Sequence, residues 1–320
     1  MLCRTANELY WMARHIERAE NTARLLDVTY RMSLLPYQVV EPGLAWAEPW
    51  SVPLVTNGLA TGYYERYPVL AAESVLRFMS LDPANPSSIF SCLRAARESA
   101  RSVRGAITSE MYEDLNSAWL EVRQYDFDRV QAQGVSEFLD WVKMRSHLFR
   151  GVTFGTMRRD DSYAFTRLGT HIERADSTAR ILDVKYHVLL PSVGDVGGAV
   201  DYYQWSAVLR SVSAFEAYRK VYRDVITPIR LAELLILRDD IPRSLHFCMR
   251  QVSDTLDLVR NDRSAECLRQ TGRILSQLRY GRIQDIFATG LHEYLTDYLG
   301  SMQSLSTQVQ KSFFAPTLPE

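Results

Sequence analysis

One stretch of fourteen residues occurs twice in this chain. Residues 15–28 read HIERAENTARLLDV and residues 171–184 read HIERADSTARILDV; eleven of fourteen positions are identical at an offset of 156, and the exchanges are conservative or between small polar groups. Tyr30 and Tyr186 extend the match. The same offset returns downstream, where NPSSIFSCLRAARESARSVR (85–104) aligns with IPRSLHFCMRQVSDTLDLVR (241–260), keeping Pro86/Pro242, Ser88/Ser244, Cys92/Cys248 and Arg104/Arg260. Between them Trp50-Ser51 matches Trp205-Ser206, and Tyr63 and Tyr67 match Tyr218 and Tyr222, one residue out of step. Collinear matches at nearly one offset mark an internal duplication. They predict two tandem repeats, residues 1–156 and 157–320, within one compact structural domain.

The pattern inside each repeat is helix after helix, with no alternating β-branched segment to compete. Thr5 followed three residues later by Glu8 predicts a capping box opening a first helix that runs to about Leu35. Pro36 stops it and Pro191 stops its counterpart, leaving 36–49 and 191–200 as equivalent loops. Further helices are predicted near 50–67, 68–80, 86–107, 109–125, 135–158, 202–223, 228–237, 241–262, 263–280 and 283–312, with PTLPE as a C-terminal tail. The expected fold is all-α: a helical bundle of two pseudo-symmetric repeats packed around paired Glu-Arg motif helices.

Placed on a helix, the motif sorts into faces. Ile16, Ala19, Ala23, Leu26 and Tyr30 form an apolar stripe whose alanines permit close approach of a second helix. Glu17, Glu20, Arg24 and Asp27 form a neighbouring polar strip, while His15, Arg18 and Thr22 lie on the other flank. Leu25 and Val28 cover the far side, so the helix is apolar nearly all round and belongs in an interior. Arg24 stands between Glu20 and Asp27, as Arg180 stands between Asp176 and Asp183, which predicts two carboxylate–guanidinium–carboxylate ladders. A pseudo-twofold axis would join the strips, with Glu173 and Arg174 beside Glu17 and Arg18, into one central network. Such a network either fixes the register of two packed helices or lines a polar cleft that receives a carboxylate-bearing ligand.

A metal centre fits less well. Di-metal bundles place Glu-x-x-His pairs inward, whereas the order here is H-x-E-x-x-[ED] and His15 points away from Glu17; His15 and His171 read equally as packed core histidines. No Walker, Rossmann or nucleophile-elbow signature occurs, and four scattered cysteines suggest neither zinc nor disulfides. No cofactor is therefore expected. A net charge of −1 offers no electrostatic case for nucleic acid or an anionic membrane, although 33 of the 37 basic residues are arginine, the cation suited to paired carboxylates. Neither a signal segment nor a bilayer-length apolar run is apparent, so a cytoplasmic location is expected. Gly151 and Gly155, four apart, suggest close helix contact; the arginines of 92–104 suggest a solvated or paired helix face rather than a phosphate site.

RTANELYWMARHIERAENTARLLD (4–27), the 85–104 segment and RDDSYAFTRLGTHIERADSTARILDV (159–184) together resemble the bacterial alpha-E family over essentially the whole chain. That family is all-helical and named partly for a Glu-Arg motif, matched by Glu17-Arg18 and Glu173-Arg174. Tyr112 stands where tryptophan is expected. The genes of the family commonly neighbour, or are fused to, a circularly permuted ATP-grasp ligase, often with a transglutaminase-like protease. The resemblance implies a role in making or processing peptide or amide-linked products. Two functions follow as expectations: a non-catalytic partner of the ligase or its peptide, or an enzyme using the paired Glu-Arg helices in a central polar cleft for amide-forming or group-transfer chemistry.

Overall fold

Capping chemistry and helix breakers set most of the element boundaries in the computed structural model, which describes residues 1–34, 49–187 and 198–315. The loops expected at 36–49 and 191–200, Pro36, Pro191 and the PTLPE tail lie wholly or largely outside those residues. Among the described residues the chain is all-helical, with no strand. The long helices are α1 (Cys3–Ser33), α8 (Val135–Thr156), α9 (Asp161–His187) and α16 (Leu291–Val309). Between α1 and α8 run α2 (Val52–Thr56), α3 (Ala60–Tyr64), α4 (Ala72–Ser80), α5 (Ile89–Ser102), α6 (Ser109–Val122) and α7 (Phe127–Gln133). Between α9 and α16 run α10 (Ala199–Ser211), α11 (Phe215–Tyr222), α12 (Pro228–Ile236), α13 (Leu245–Leu258), α14 (Ala265–Tyr280) and α15 (Ile283–Thr289).

The two copies of the P-x-S signature do the same local work. Ser88 accepts from Ser91 N–H and Ser244 from Phe247 N–H, opening α5 and α13; such a cap contributes about 1 kcal/mol. Cys92 and Cys248 donate to the carbonyls of Pro86 and Pro242 at 3.9 and 3.8 Å. Tyr63 and Tyr218 donate to the carbonyls of Val69 and Val225 at 3.0 and 2.8 Å. These matched bonds anchor α3 and α11 to the chain that follows each.

Several boundary expectations need correction. α1 opens on Leu2 with no side-chain cap, so Thr5 lies inside the helix and the Thr5/Glu8 box does not form the start. The helices expected at 50–67, 202–223 and 283–312 are each broken in two, the last at Gly290, whose φ of 105° only glycine adopts readily. Helix α7 went unread because seven residues carry too little periodicity to register.

α1 and α9 form the centre, flanked by α5 and α13 and covered by α8, α10 and α16. They come close at Gly169: a Cβ there would stand 2.2 Å from the Tyr10 carbonyl oxygen and 3.3 Å from Ala13 Cβ. Gly151 and Gly155, by contrast, are exposed with nothing within 4 Å of a Cβ; the expected close contact there does not occur. α1 is buried almost without interruption from Met12 to Thr29, charges included, which is what an all-round apolar helix demands. In α5, Arg94 and Arg101 are exposed and the half-buried Arg97 pairs with Glu98, while Arg104, just beyond the helix, is also exposed, the solvated or paired face the spacing implied.

Candidate functional site

Burying α1 and α9 side by side takes their acidic groups out of water, and each then needs a cation. The partners are supplied across the helix pair. Glu17 receives Arg174 Nε at 2.9 Å and Nη2 at 2.8 Å. Reciprocally, Glu173 receives Arg18 Nε at 2.6 Å and Nη2 at 3.1 Å. Each motif's glutamate is thus held by the other motif's arginine in a two-nitrogen fork, the strong geometry for this pair. Glu17 and Glu173 are 1% and 5% exposed at the side chain.

The ladders form only in their first halves. Arg24 Nε binds Glu20 at 2.8 Å, but Nη1 turns to the Ser211 carbonyl and to Ser213 Oγ. Asp27 instead takes Arg31 at 3.0 Å and Lys143 at 3.4 Å. Arg180 binds Asp176 at 2.7 Å and the Thr56 carbonyl, while Asp183 meets His292 Nδ1 at 2.8 Å in a separate cavity. A guanidinium four residues on reaches one carboxylate, and neighbouring helices claim the rest of its N–H groups. Of the remaining strip carboxylates, Glu20 shares Arg150 and Arg243 with Glu17, while Asp176 pairs with Arg180.

Three arginines outside the motifs complete the network. Arg150 of α8 contacts Glu17 at 3.0 Å and also Glu20. Arg243 reaches Glu17 at 3.2 Å and Glu20 more closely, and donates to Asn21 Oδ1 at 2.9 Å. Arg14 binds Glu173 at 2.7 Å and the Tyr10 hydroxyl at 3.0 Å. Seven guanidinium groups therefore face four carboxylates, an excess of three positive charges.

Burial pushes the Glu17 carboxyl up, but Arg174, Arg243 and Arg150 outweigh both burial and the neighbouring Glu20 and bring it below the ordinary range. Burial is likewise overcome at Glu20, chiefly by Arg243, and at Glu173, where Arg18 and Arg14 bring the value to about 2. All three are ionised at neutral pH. Burial holds Arg243 down to about 10, so it too keeps its charge. Burial and then Arg18 lower His15 to about 4; burial and then Arg174 lower His171 well below its usual value. Both histidines are neutral. His15 packs beside the Trp11 ring at 5.6 Å and His171 edge-on to Phe247 at 6.0 Å.

A cavity of about 230 Å³ opens between α1 and α9 on the Glu173 side. Arg14, Arg18, Asn21, Asp176 and Arg180 border it. Asn21 is 4% exposed and its Nδ2 has no hydrogen-bond partner, an orphaned donor beside a cleft. A larger groove of about 710 Å³ lies between α14, α15 and α16, and none of the residues expected from sequence lines it.

A family model described as a predicted alpha-helical domain with a conserved ER motif matches residues 1–314. The chain belongs to the Alpha-E family. Its Glu-Arg dipeptides at 17–18 and 173–174 answer to that description. Uncharacterised proteins of Mycobacterium bovis and Mycobacterium tuberculosis are similar to it, at 24% identity over 94% of this chain. The chain spans 35% of the length of each of those relatives. No solved structure matches. Among the described residues of this Alpha-E chain no group of three or more His, Cys, Asp or Glu is placed to hold a metal ion, and no helix is long and apolar enough to cross a membrane.

Arg14, Arg150, Arg243 and Asn21 were not read as site residues from the Alpha-E sequence. The duplication does not repeat these arginines: at the 156 offset Arg14 faces Thr170, Arg150 faces Ser306, and Arg243 faces Ser87. The signal for Arg243 was its adjacency to Pro242, which the duplication does align.

Proposed function

We propose that this chain is a non-catalytic binding member of a peptide- or amide-forming system, partnered by an ATP-grasp ligase or a transglutaminase-like protein. A carboxylate-bearing peptide is its ligand, seated in the cleft between α1 and α9. The observation that carries this reading is the excess of guanidinium over carboxylate in a buried cluster that opens on that cleft. Arg18 is 26% and Arg180 30% exposed at the side chain, and both border the opening, whereas Glu173, which also borders it, is 5% exposed and engaged by Arg14 and Arg18. A preorganised cation beside an unpartnered Asn21 amide donor suits a carboxylate, which accepts from both. The length of the mycobacterial relatives supports a partner, since this segment is one part of much longer chains there.

Acid–base or group-transfer catalysis by the paired glutamates is the alternative. It requires a carboxyl that gives and takes a proton near neutral pH, whereas the surrounding arginines hold Glu17, Glu20 and Glu173 ionised. The architecture is read as two copies of one unit, residues 1–156 and 157–320, about a pseudo-twofold axis at the α1/α9 seam. The reciprocal Glu-Arg pairs and the matched serine caps support that reading.

Calorimetric titration with a short peptide carrying a free C-terminal carboxylate, and with its C-terminal amide, tests the ligand. The acid should bind at least about tenfold tighter than the amide, and Arg180→Gln should remove the difference. Equal binding of the two, or saturation by neither, overturns the reading. A neighbouring ATP-grasp ligase that neither binds the chain nor changes its rate when the chain is added would remove the partnership.

A further inference from the structure

On the other side of α9 lies a second cavity, of about 180 Å³, with a different character. Its walls are Phe149 of α8, Tyr163 of α9 and Phe247 of α13. The threonines that border it turn their hydroxyls back to their own helices: Thr153 donates to the Phe149 carbonyl at 2.7 Å, Thr166 to Ser162 at 2.8 Å and Thr170 to Thr166 at 3.1 Å. Arg150 and Arg174 also border the space, but both are paired with Glu17, so among its lining residues two basic side chains stand outside those ion pairs.

The first is Arg167. Among the described residues its guanidinium hydrogen-bonds to neutral groups, Gln251 and the Tyr163 hydroxyl, and forms no ion pair with a carboxylate. A half-buried cation with only neutral partners is costly unless an anion joins it. The second is His171, which is 4% exposed and whose Nδ1 has no partner. A neutral imidazole offers one N–H and one lone pair. For size, an apolar cavity of about 150 Å³ holds a benzene ring, so this one takes a single ring with a small substituent. Aromatic walls favour an aromatic occupant through edge-to-face and offset contacts.

We propose that this cavity is a second binding site, for a single-ring aromatic carboxylate whose ring lies among Phe149, Tyr163 and Phe247 and whose anion pairs with Arg167. The site shares no residue with the cleft between α1 and α9, and it stands whether or not a peptide binds there. Arg174 borders this cavity while Arg18 borders the other, so the two sites flank the same pair of Glu-Arg forks.

Calorimetry of the full chain with benzoate, benzamide and acetate as separate probes decides it. Benzoate should saturate, with benzamide (ring without charge) and acetate (charge without ring) each at least about tenfold weaker. Arg167→Gln should abolish the preference for benzoate over benzamide, and Phe247→Leu should weaken both. Arg180→Gln, which alters only the α1/α9 cleft, should leave benzoate binding unchanged. Absence of saturable benzoate binding to the wild-type chain overturns the proposal. So does benzamide binding as tightly as benzoate, or a loss of benzoate binding in Arg180→Gln with none in Arg167→Gln.

Discussion

Replacing Glu173 by glutamine removes one negative charge and little volume, so it isolates the electrostatic role of the reciprocal pair. Glu173 accepts three guanidinium N–H bonds, from Arg18 at 2.6 and 3.1 Å and from Arg14 at 2.7 Å. The amide keeps one acceptor and turns an NH₂ group toward a remaining guanidinium, donor against donor. Arg14, with its side chain 11% exposed, has no other carboxylate partner in the network. Removing one member of a buried pair costs about 3–5 kcal/mol. The lower half of that range applies, because Arg18 borders a cavity and can be hydrated there. Proton linkage agrees: a carboxyl held at about 2 instead of 4.5 corresponds to roughly 3 kcal/mol at neutral pH. The sign follows from a depressed value. The stabilisation is fully present above the unfolded-state pKa and is lost as pH falls from there toward 2. Urea unfolding followed by circular dichroism should therefore show Glu173→Gln about 3 kcal/mol less stable near pH 7, with the gap closing as pH falls below about 4. A gap under about 1 kcal/mol at pH 7 would mean the pair is no better than a surface ion pair, and the reasoning would be wrong. A gap that persisted unchanged at low pH would refute the electrostatic cause.

Three further outcomes are expected. Gly169→Ala, with its new methyl 2.2 Å from the Tyr10 carbonyl oxygen, should cost on the order of 1–3 kcal/mol by forcing α1 and α9 apart. Gly151→Ala and Gly155→Ala, in open space on one helix, should each raise stability by roughly 0.5–1 kcal/mol in the same urea assay. Asp114 sits 3.9 Å from Arg145 with an unpartnered Oδ1, and burial raises its carboxyl to about 6. Because a raised value penalises the charged form, Asp114→Asn should raise the melting temperature at pH 7.5, and the advantage should shrink as pH falls through about 6 and the native carboxyl protonates.

The sequence by itself determined the helical class, the motif helices and their burial. Periodicity and all-round apolarity are local properties, and a helix such as α1 has few places to go but inside. It also named ten charged residues of the two motif helices, of which Glu17, Arg18, Glu173 and Arg174 meet across the seam. Only the tertiary structure decided which charge meets which. Glu20 could be matched with Arg24 along the helix, yet the closest cations at that carboxylate include Arg150 and Arg243, brought from more than a hundred residues away. Asp27 and Asp183 fell out of the cluster because neighbouring helices supplied Lys143 and His292 first. The excess of arginine over carboxylate came from positions the duplication does not repeat, so no comparison of the two copies would have shown it. Long-range ion pairing depends on how helices cross, and at that crossing α9 passes close to α1 at Gly169, a residue the helical pattern gave no reason to single out.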